Sequence, residues 1–408
     1  MVDVKYYRNR KELIMIGISK LYCDQIEPSD VLRYHSNKST PSKLLQFSKD
    51  KKPVVVWNVT KQCNLNCIHC YSESNKKTDF NELSTEEGKA LLEDLSTYGV
   101  PVVLFSGGEP LYRSDIFELM EYAKKLNMRV VISTNGTLIT KEVAEKIKNI
   151  GVSYVGISMD GLRATHNEFR NNENAFDLAM QGVDNCLELG IKVGFRFTIT
   201  NKNSKEIPEM FDLVARKKIP RICFYHLVYS GKGKDIIDED LTHNETRIVV
   251  DTIINKTKEL HDNNLKTEVL TVDNHADGVY LYLRMKEENQ AKADKVFELL
   301  KLNGGNNSGI KIGCVSWDGE VYADQFWRDY SFGNIKKKSF SEIWKDETEP
   351  RMKKLRNRKQ YLKGRCSKCK WLNVCNGNFR VRASVKNGDI WGEDPACYLT
   401  DKEIAYGE

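Results

Sequence analysis

The chain has 408 residues, 40% of them hydrophobic and 29% charged, which fits an ordinary globular protein of two or three domains. This composition excludes a disordered tail, a collagen-like repeat and a minimal disulfide scaffold. Lys and Arg number 63 against 57 Asp and Glu, a net charge of +6. That mild excess suits a mixed solvated surface or an anionic small molecule and does not mark a nucleic-acid binder.

Residues 1–52 show weak periodicity and several breakers, which predicts an irregular N-terminal extension. The opening Met1-Val2-Asp3-Val4-Lys5 lacks the basic-then-apolar order of a secretion signal. No stretch approaches the roughly 18 apolar residues of a membrane helix, so the expected location is cytoplasmic, with no membrane partner. A strand–helix pattern begins at residue 53. Val54-Val55-Val56-Trp57 behind Pro53 reads as a buried strand. Ser84-Thr85-Glu86-Glu87 reads as a capping box opening a helix to Tyr98. Further strands are expected over 101–105, 129–133, 153–158, 192–199 and 221–227. They alternate with helices over 115–127, 140–149, 175–189 and 205–217. Six strands separated by helices pair in parallel, because parallel neighbours need crossovers. The fold class is therefore α/β, a complete or partial (βα)6 TIM-like barrel over 53–265, with its chemistry on the loops after the strands.

After a helix over 242–261 the pattern degrades. Residues 266–302 are expected to form a helical linker, with one helix near 290–302. From residue 303 to 408 the chain becomes cysteine-rich and basic, which predicts a small second domain. Trp317-Asp318-Gly319-Glu320 reads as a hairpin turn between two short strands.

The 11 cysteines are odd in number and lie in what reads as a reducing location, which favours metal or cluster ligation over disulfides. Cys63-Asn64-Leu65-Asn66-Cys67-Ile68-His69-Cys70 places three thiols in the loop after the first strand. Three thiolates can hold three irons of a [4Fe–4S] cube and leave the fourth iron open; a zinc knuckle with His69 as fourth ligand is the alternative. Cys366, Cys369, Cys375 and Cys397 can close a second [4Fe–4S] site or a zinc ribbon. Cys23, Cys186, Cys223 and Cys314 are scattered.

The Cys-x3-Cys-x2-Cys run, with Tyr71 beside its third cysteine, resembles the radical S-adenosylmethionine (SAM) enzymes. Ser106-Gly107-Gly108-Glu109-Pro110, Ser133-Thr134-Asn135-Gly136 and Ser158-Met159-Asp160-Gly161 follow successive strands as that family's motifs do. The resemblance implies a partial barrel binding a [4Fe–4S] cluster and SAM. It assigns Tyr71, Gly107, Gly108, Glu109, Ser133, Asn135, Ser158, Asp160 and Arg196 to the cofactor. Glu109 would accept from the SAM ammonium and Arg196 would pair with its carboxylate. The later cysteines, with Gly333-Asn334-Ile335 and Glu342-Ile343-Trp344, resemble the SPASM extension, an α+β domain holding auxiliary clusters. The pattern is incomplete, because Phe379 stands where a cysteine would follow Cys375. One auxiliary [4Fe–4S] cluster is expected, and Cys314 is expected to be a buried small residue.

Separate segments narrow the resemblance: Met15 to Cys23, Phe224 to Gly231, Asp324-Gln325-Phe326-Trp327, Cys375 to Ala383 and Asp394 to Thr400. Together they resemble the tetrapyrrole-modifying enzymes of siroheme-dependent haem synthesis, closest to the AhbC family, with the NirJ family a near relative. The resemblance implies removal of two acetate side chains from didecarboxysiroheme to give iron-coproporphyrin III. A 5′-deoxyadenosyl radical would act, fed by a low-potential donor such as ferredoxin or flavodoxin. NirJ-type propionate removal and a SPASM peptide-maturing activity are the alternatives; a non-catalytic electron carrier or zinc module would have no use for Gly107–Pro110. On the substrate side, Arg380 and Arg382 can form a carboxylate fork or be surface or structural arginines. His226 and Tyr229 end the sixth strand as candidate catalytic groups. His226 can protonate a carbon, ligate the tetrapyrrole iron or simply be a core histidine.

Overall fold

The computed structural model describes residues 15–25, 52–77 and 81–405. Its centre is an eleven-stranded sheet. The strands are β1 (Met15–Gly17), β2 (Val54–Asn58), β3 (Val102–Ser106), β4 (Arg129–Thr134), β5 (Tyr154–Ser158) and β6 (Val193–Ile199). They continue as β7 (Arg221–His226), β8 (Glu268–Val272), β9 (Ile312–Val315), β10 (Glu320–Tyr322) and β11 (Gly333–Asn334). From β2 to β8 the strands lie side by side in chain order and pair in parallel. β9 adds in parallel outside β2, and β1 pairs antiparallel with β8. The sheet ends on β1 and β11 without closing, as a partial barrel does.

Alternation along each strand divides the sheet's faces. Val55, Trp57, Val103, Phe105, Val130, Ile132, Phe195 and Phe197 belong to the large core shared with the crossover helices. Val54, Val102, Val131 and Tyr154 form a separate cluster on the other face, as do Val56, Ile312 and Cys314. Helix boundaries follow local chemistry. Ser84 caps helix Thr85–Tyr98 with Glu87 reaching back, and Gly99 ends it in the left-handed region at φ 87°.

Four segments differ from expectation. Within the N-terminal extension, the described residues 15–25 carry β1 and helix Ile18–Cys23. Ser19 fastens them by accepting from Val269 N–H at 2.8 Å and donating to the Thr267 carbonyl at 3.1 Å. The segment read as a helical linker also carries β8, along with helices Ala276–Glu288 and Gln290–Asn303. A further helix, Arg163–Arg170, follows β5. The hairpin of β9 and β10 forms at the expected turn, but β9 continues the barrel sheet instead of standing apart. Among the described residues no helix is long and apolar enough to cross a membrane.

Candidate active site and auxiliary cluster site

Because β2 and β3 are parallel neighbours, the cysteine loop after β2 lies against the glycine motif after β3. Gly108 N–H donates to the Thr60 carbonyl at 2.8 Å, and Glu109 N–H to that of Gln62 at 2.8 Å. The approach admits no side chain. A Cβ on Gly108 would lie 2.0 Å from the Gln62 oxygen; one on Gly107, at φ +136°, would lie 2.5 Å from the Thr60 oxygen.

Above these loops is a cavity with about 1080 Å³ of empty space, onto which Cys63, Cys67 and Cys70 all open. Tyr71, Gly107, Gly108, Ser133, Asn135, Ser158, Arg196 and His226 also line it. Among the described residues, no three Cys, His, Asp or Glu side chains are placed to hold a single metal ion. The three thiols instead open together onto this one space. His69 is no fourth ligand. It packs against Phe169, ring centroids 5.4 Å apart, with Nε2 3.5 Å from Asp160, and burial pushes its pKa down to about 4.

Several neighbours shape this wall. Tyr71 donates to Asn58 Oδ1 at 3.0 Å. Asn135 Nδ2 donates to Asn64 Oδ1 at 2.9 Å and stands 3.8 Å from Cys63 Sγ. Arg196 donates to Ser133 Oγ at 2.9 Å. It lies across Gly156, where a Cβ would come within 2.3 Å of its Nε.

Two residues that the resemblance assigns to SAM lie off the cavity wall in this structure. Glu109 does not line the cavity; it is fully buried. Its carboxylate accepts from Thr134 Oγ1 at 2.7 Å, Asn135 N–H at 2.8 Å and Leu111 N–H at 3.0 Å, so it fixes the loop after β4. Burial pushes its pKa up to about 7 against those bonds. Asp160 is likewise buried and off the cavity, accepting from Arg170 and from Thr198 N–H at 2.9 Å. Burial acts to raise its pKa, but Arg170 and His69 outweigh it and hold the carboxyl below its ordinary value. Sequence reasoning missed Arg170, whose Nη1 lies 3.5 Å from Cys67 Sγ. It ends the helix after β5, an element that the strand–helix alternation skipped.

At the end of β7, His226 Nε2 lies 2.9 Å from Asp277 Oδ2, and Tyr398 donates to Asp277 Oδ1 at 2.8 Å. Tyr229 is turned away from the cavity, 4% exposed and donating to Asp240 at 2.8 Å. The two arginines expected to form a carboxylate fork are both buried and bonded to protein, although Arg380 Nε has no hydrogen-bond partner among the described residues. Arg380 donates to the carbonyls of Gly377, Ile390 and Gly392. Arg382 grips both oxygens of Asp394 at 2.9 Å and donates to the Leu227 and Asp273 carbonyls. Asp394 lies 12 residues downstream, a separation at which sequence alone shows no pairing.

Cys366, Cys369, Cys375 and Cys397 converge on a second cavity with about 460 Å³ of empty space, floored by Ala276, Leu372, Leu399 and Ile404. Four thiols around an apolar space fit a closed [4Fe–4S] site. Cys314 is apart from it, buried on β9 and receiving Asn58 Nδ2 at 3.6 Å.

The chain matches the radical SAM superfamily over residues 57–214 and SPASM, an iron–sulfur cluster-binding domain, over 311–370. It is 59% identical over 398 residues to Fe-coproporphyrin III synthase of Methanosarcina barkeri, covering 97% of this chain and 100% of that one. Identity to pre-heme d1 synthase of Dinoroseobacter shibae is 40% over 355 residues, 86% of this chain and 87% of that one. SuiB of Streptococcus suis, solved bound to S-adenosylmethionine, superposes with a TM-score of 0.67 at 20% identity, covering 85% of this chain and 77% of that one. That last likeness concerns the fold.

Proposed function

The chain belongs to the radical SAM superfamily, and we propose that it removes the two acetate side chains of didecarboxysiroheme to give iron-coproporphyrin III. The observation that carries this reading is the 59% identity to Fe-coproporphyrin III synthase over nearly the whole chain, joined to two cysteine-lined cavities of the right donor chemistry. Cys63, Cys67 and Cys70 would hold the reactive [4Fe–4S] cluster, and Cys366, Cys369, Cys375 and Cys397 the auxiliary one. SAM bound at the open iron supplies, on one-electron reduction, a 5′-deoxyadenosyl radical able to abstract hydrogen from an unactivated carbon.

The protein's own work is orientation and exclusion of water. The backbone at Gly107 and Gly108, with Ser133, Asn135, Ser158 and Arg196, offers the polar groups that would seat SAM. His226, fixed by Asp277 and lining the cavity, would serve as proton donor or iron ligand for the substrate. A low-potential carrier such as ferredoxin or flavodoxin would deliver the electron.

The 40% identity to pre-heme d1 synthase favours one second reading, removal of propionate chains. Anaerobic turnover with didecarboxysiroheme, read by mass spectrometry, separates the two. Acetate removal yields iron-coproporphyrin III with 5′-deoxyadenosine. SAM cleavage with the tetrapyrrole unchanged, or loss of propionates, would refute the proposal.

A further inference from the structure

One buried carboxyl has no partner in this scheme. Asp273 directly follows β8 and is 4% exposed. Its φ of 65° turns the chain toward helix Ala276–Glu288, in a left-handed conformation that aspartate tolerates better than most residues. Arg382 Nη2 holds its carbonyl at 2.5 Å, which fixes the turn from the SPASM side.

Two cavities meet at this side chain. The space beside the cysteine loop and a mainly apolar space in the barrel interior share Asp273, Arg196, Tyr225 and Gln325 as walls. Val56 and Leu104 complete the shared wall, and Asp273 is its one carboxyl among the described residues. Among the described residues its Oδ2 is enclosed with no hydrogen-bond partner. Arg382, His226 and Arg196 face it as cationic or ionisable groups, and Asp324 as a like charge; burial outweighs them and pushes the carboxyl up to about 7. A carboxyl taken out of water without a partner favours its neutral form and then carries an O–H to donate. The strongest acceptor for that O–H is an anionic oxygen.

We propose that Asp273 is a substrate-binding residue whose protonated carboxyl donates a hydrogen bond to a side-chain carboxylate of the tetrapyrrole, seating the ring at the junction of the two cavities. The inference rests on the tetrapyrrole reading above, and its test separates the two.

Anaerobically reconstituted full-length enzyme and the variants Asp273→Asn and Asp273→Leu are titrated with iron-coproporphyrin III and with its tetramethyl ester, following the Soret band. Asn keeps an uncharged donor, whereas Leu keeps bulk without one. Asp273→Asn is expected to bind the free acid within about threefold of wild type and Asp273→Leu about tenfold or more weakly. The ester, whose uncharged carbonyls are weaker acceptors, is expected to show a smaller difference between Asp273→Leu and the other two proteins than the free acid does. Iron content of each variant reports an intact fold. Three results overturn the proposal: wild-type affinity in Asp273→Leu, an equal loss in Asp273→Asn, or a loss of SAM affinity in Asp273→Leu in place of tetrapyrrole affinity. Wild-type protein that binds no tetrapyrrole would defeat the functional reading itself.

Discussion

Replacing Asp394 by alanine tests whether Arg382 is structural, as its contacts indicate, or turned to substrate. Asp394 accepts two bonds from Arg382 at 2.9 Å, one from Phe379 N–H at 2.8 Å and one from Ala396 N–H at 3.0 Å, all out of water. Removing one partner of a buried ion pair costs about 3–5 kcal/mol, because the other charge stays buried. Each amide left unsatisfied adds about 1–3 kcal/mol where water cannot reach it. These terms overlap, so the expected loss is about 4 kcal/mol or more, a large part of a typical domain's stability of about 5–15 kcal/mol. Arg382 also donates to the carbonyls that directly follow β7 and β8, so the loss should loosen the contact between the cysteine-rich region and the barrel. Urea unfolding of the anaerobic protein, followed by tryptophan fluorescence, measures it. Asp394→Ala within about 1 kcal/mol of wild type, with tetrapyrrole affinity lost instead, would refute the structural assignment.

Gly108→Ala places a Cβ against the Gln62 carbonyl with backbone on both sides; iron analysis and electron paramagnetic resonance are expected to show the SAM-site cluster lost and the auxiliary cluster kept. Cys314→Ala is expected to leave iron content unchanged, whereas Cys375→Ala, at the second cavity, should remove the auxiliary cluster. Tyr398→Phe removes one bond to Asp277. The net effect of about 1 kcal/mol on His226 orientation predicts a drop in kcat of roughly fivefold with KM little changed, measured by steady-state turnover.

The barrel was legible because its signals are local. Valine-rich β2, the Ser84–Glu87 box and Gly99 each act within a few residues. The cysteine spacings were legible for the same reason, since cluster ligands cannot be moved apart freely. β8 was not, because Glu268-Val269-Leu270-Thr271-Val272 is short and bounded by charged segments, and only its pairing with β7 and β1 makes it a strand. The protein partners of Glu109, Asp160, Arg380 and Arg382 were not legible for another reason. A polar side chain after a strand reads the same whether it faces a ligand or a buried partner, and the partners Thr134, Arg170 and Asp394 are brought in by the fold. Asp273 was missed along with β8.

The central claim is that Cys63, Cys67 and Cys70 hold a cluster with one iron free for SAM. Protein carrying Cys366→Ala, Cys369→Ala and Cys375→Ala, reconstituted anaerobically and reduced, isolates that site for electron paramagnetic resonance. A [4Fe–4S] signal that changes on addition of SAM is the predicted result; zinc at those thiols, or a cluster signal indifferent to SAM, would contradict it.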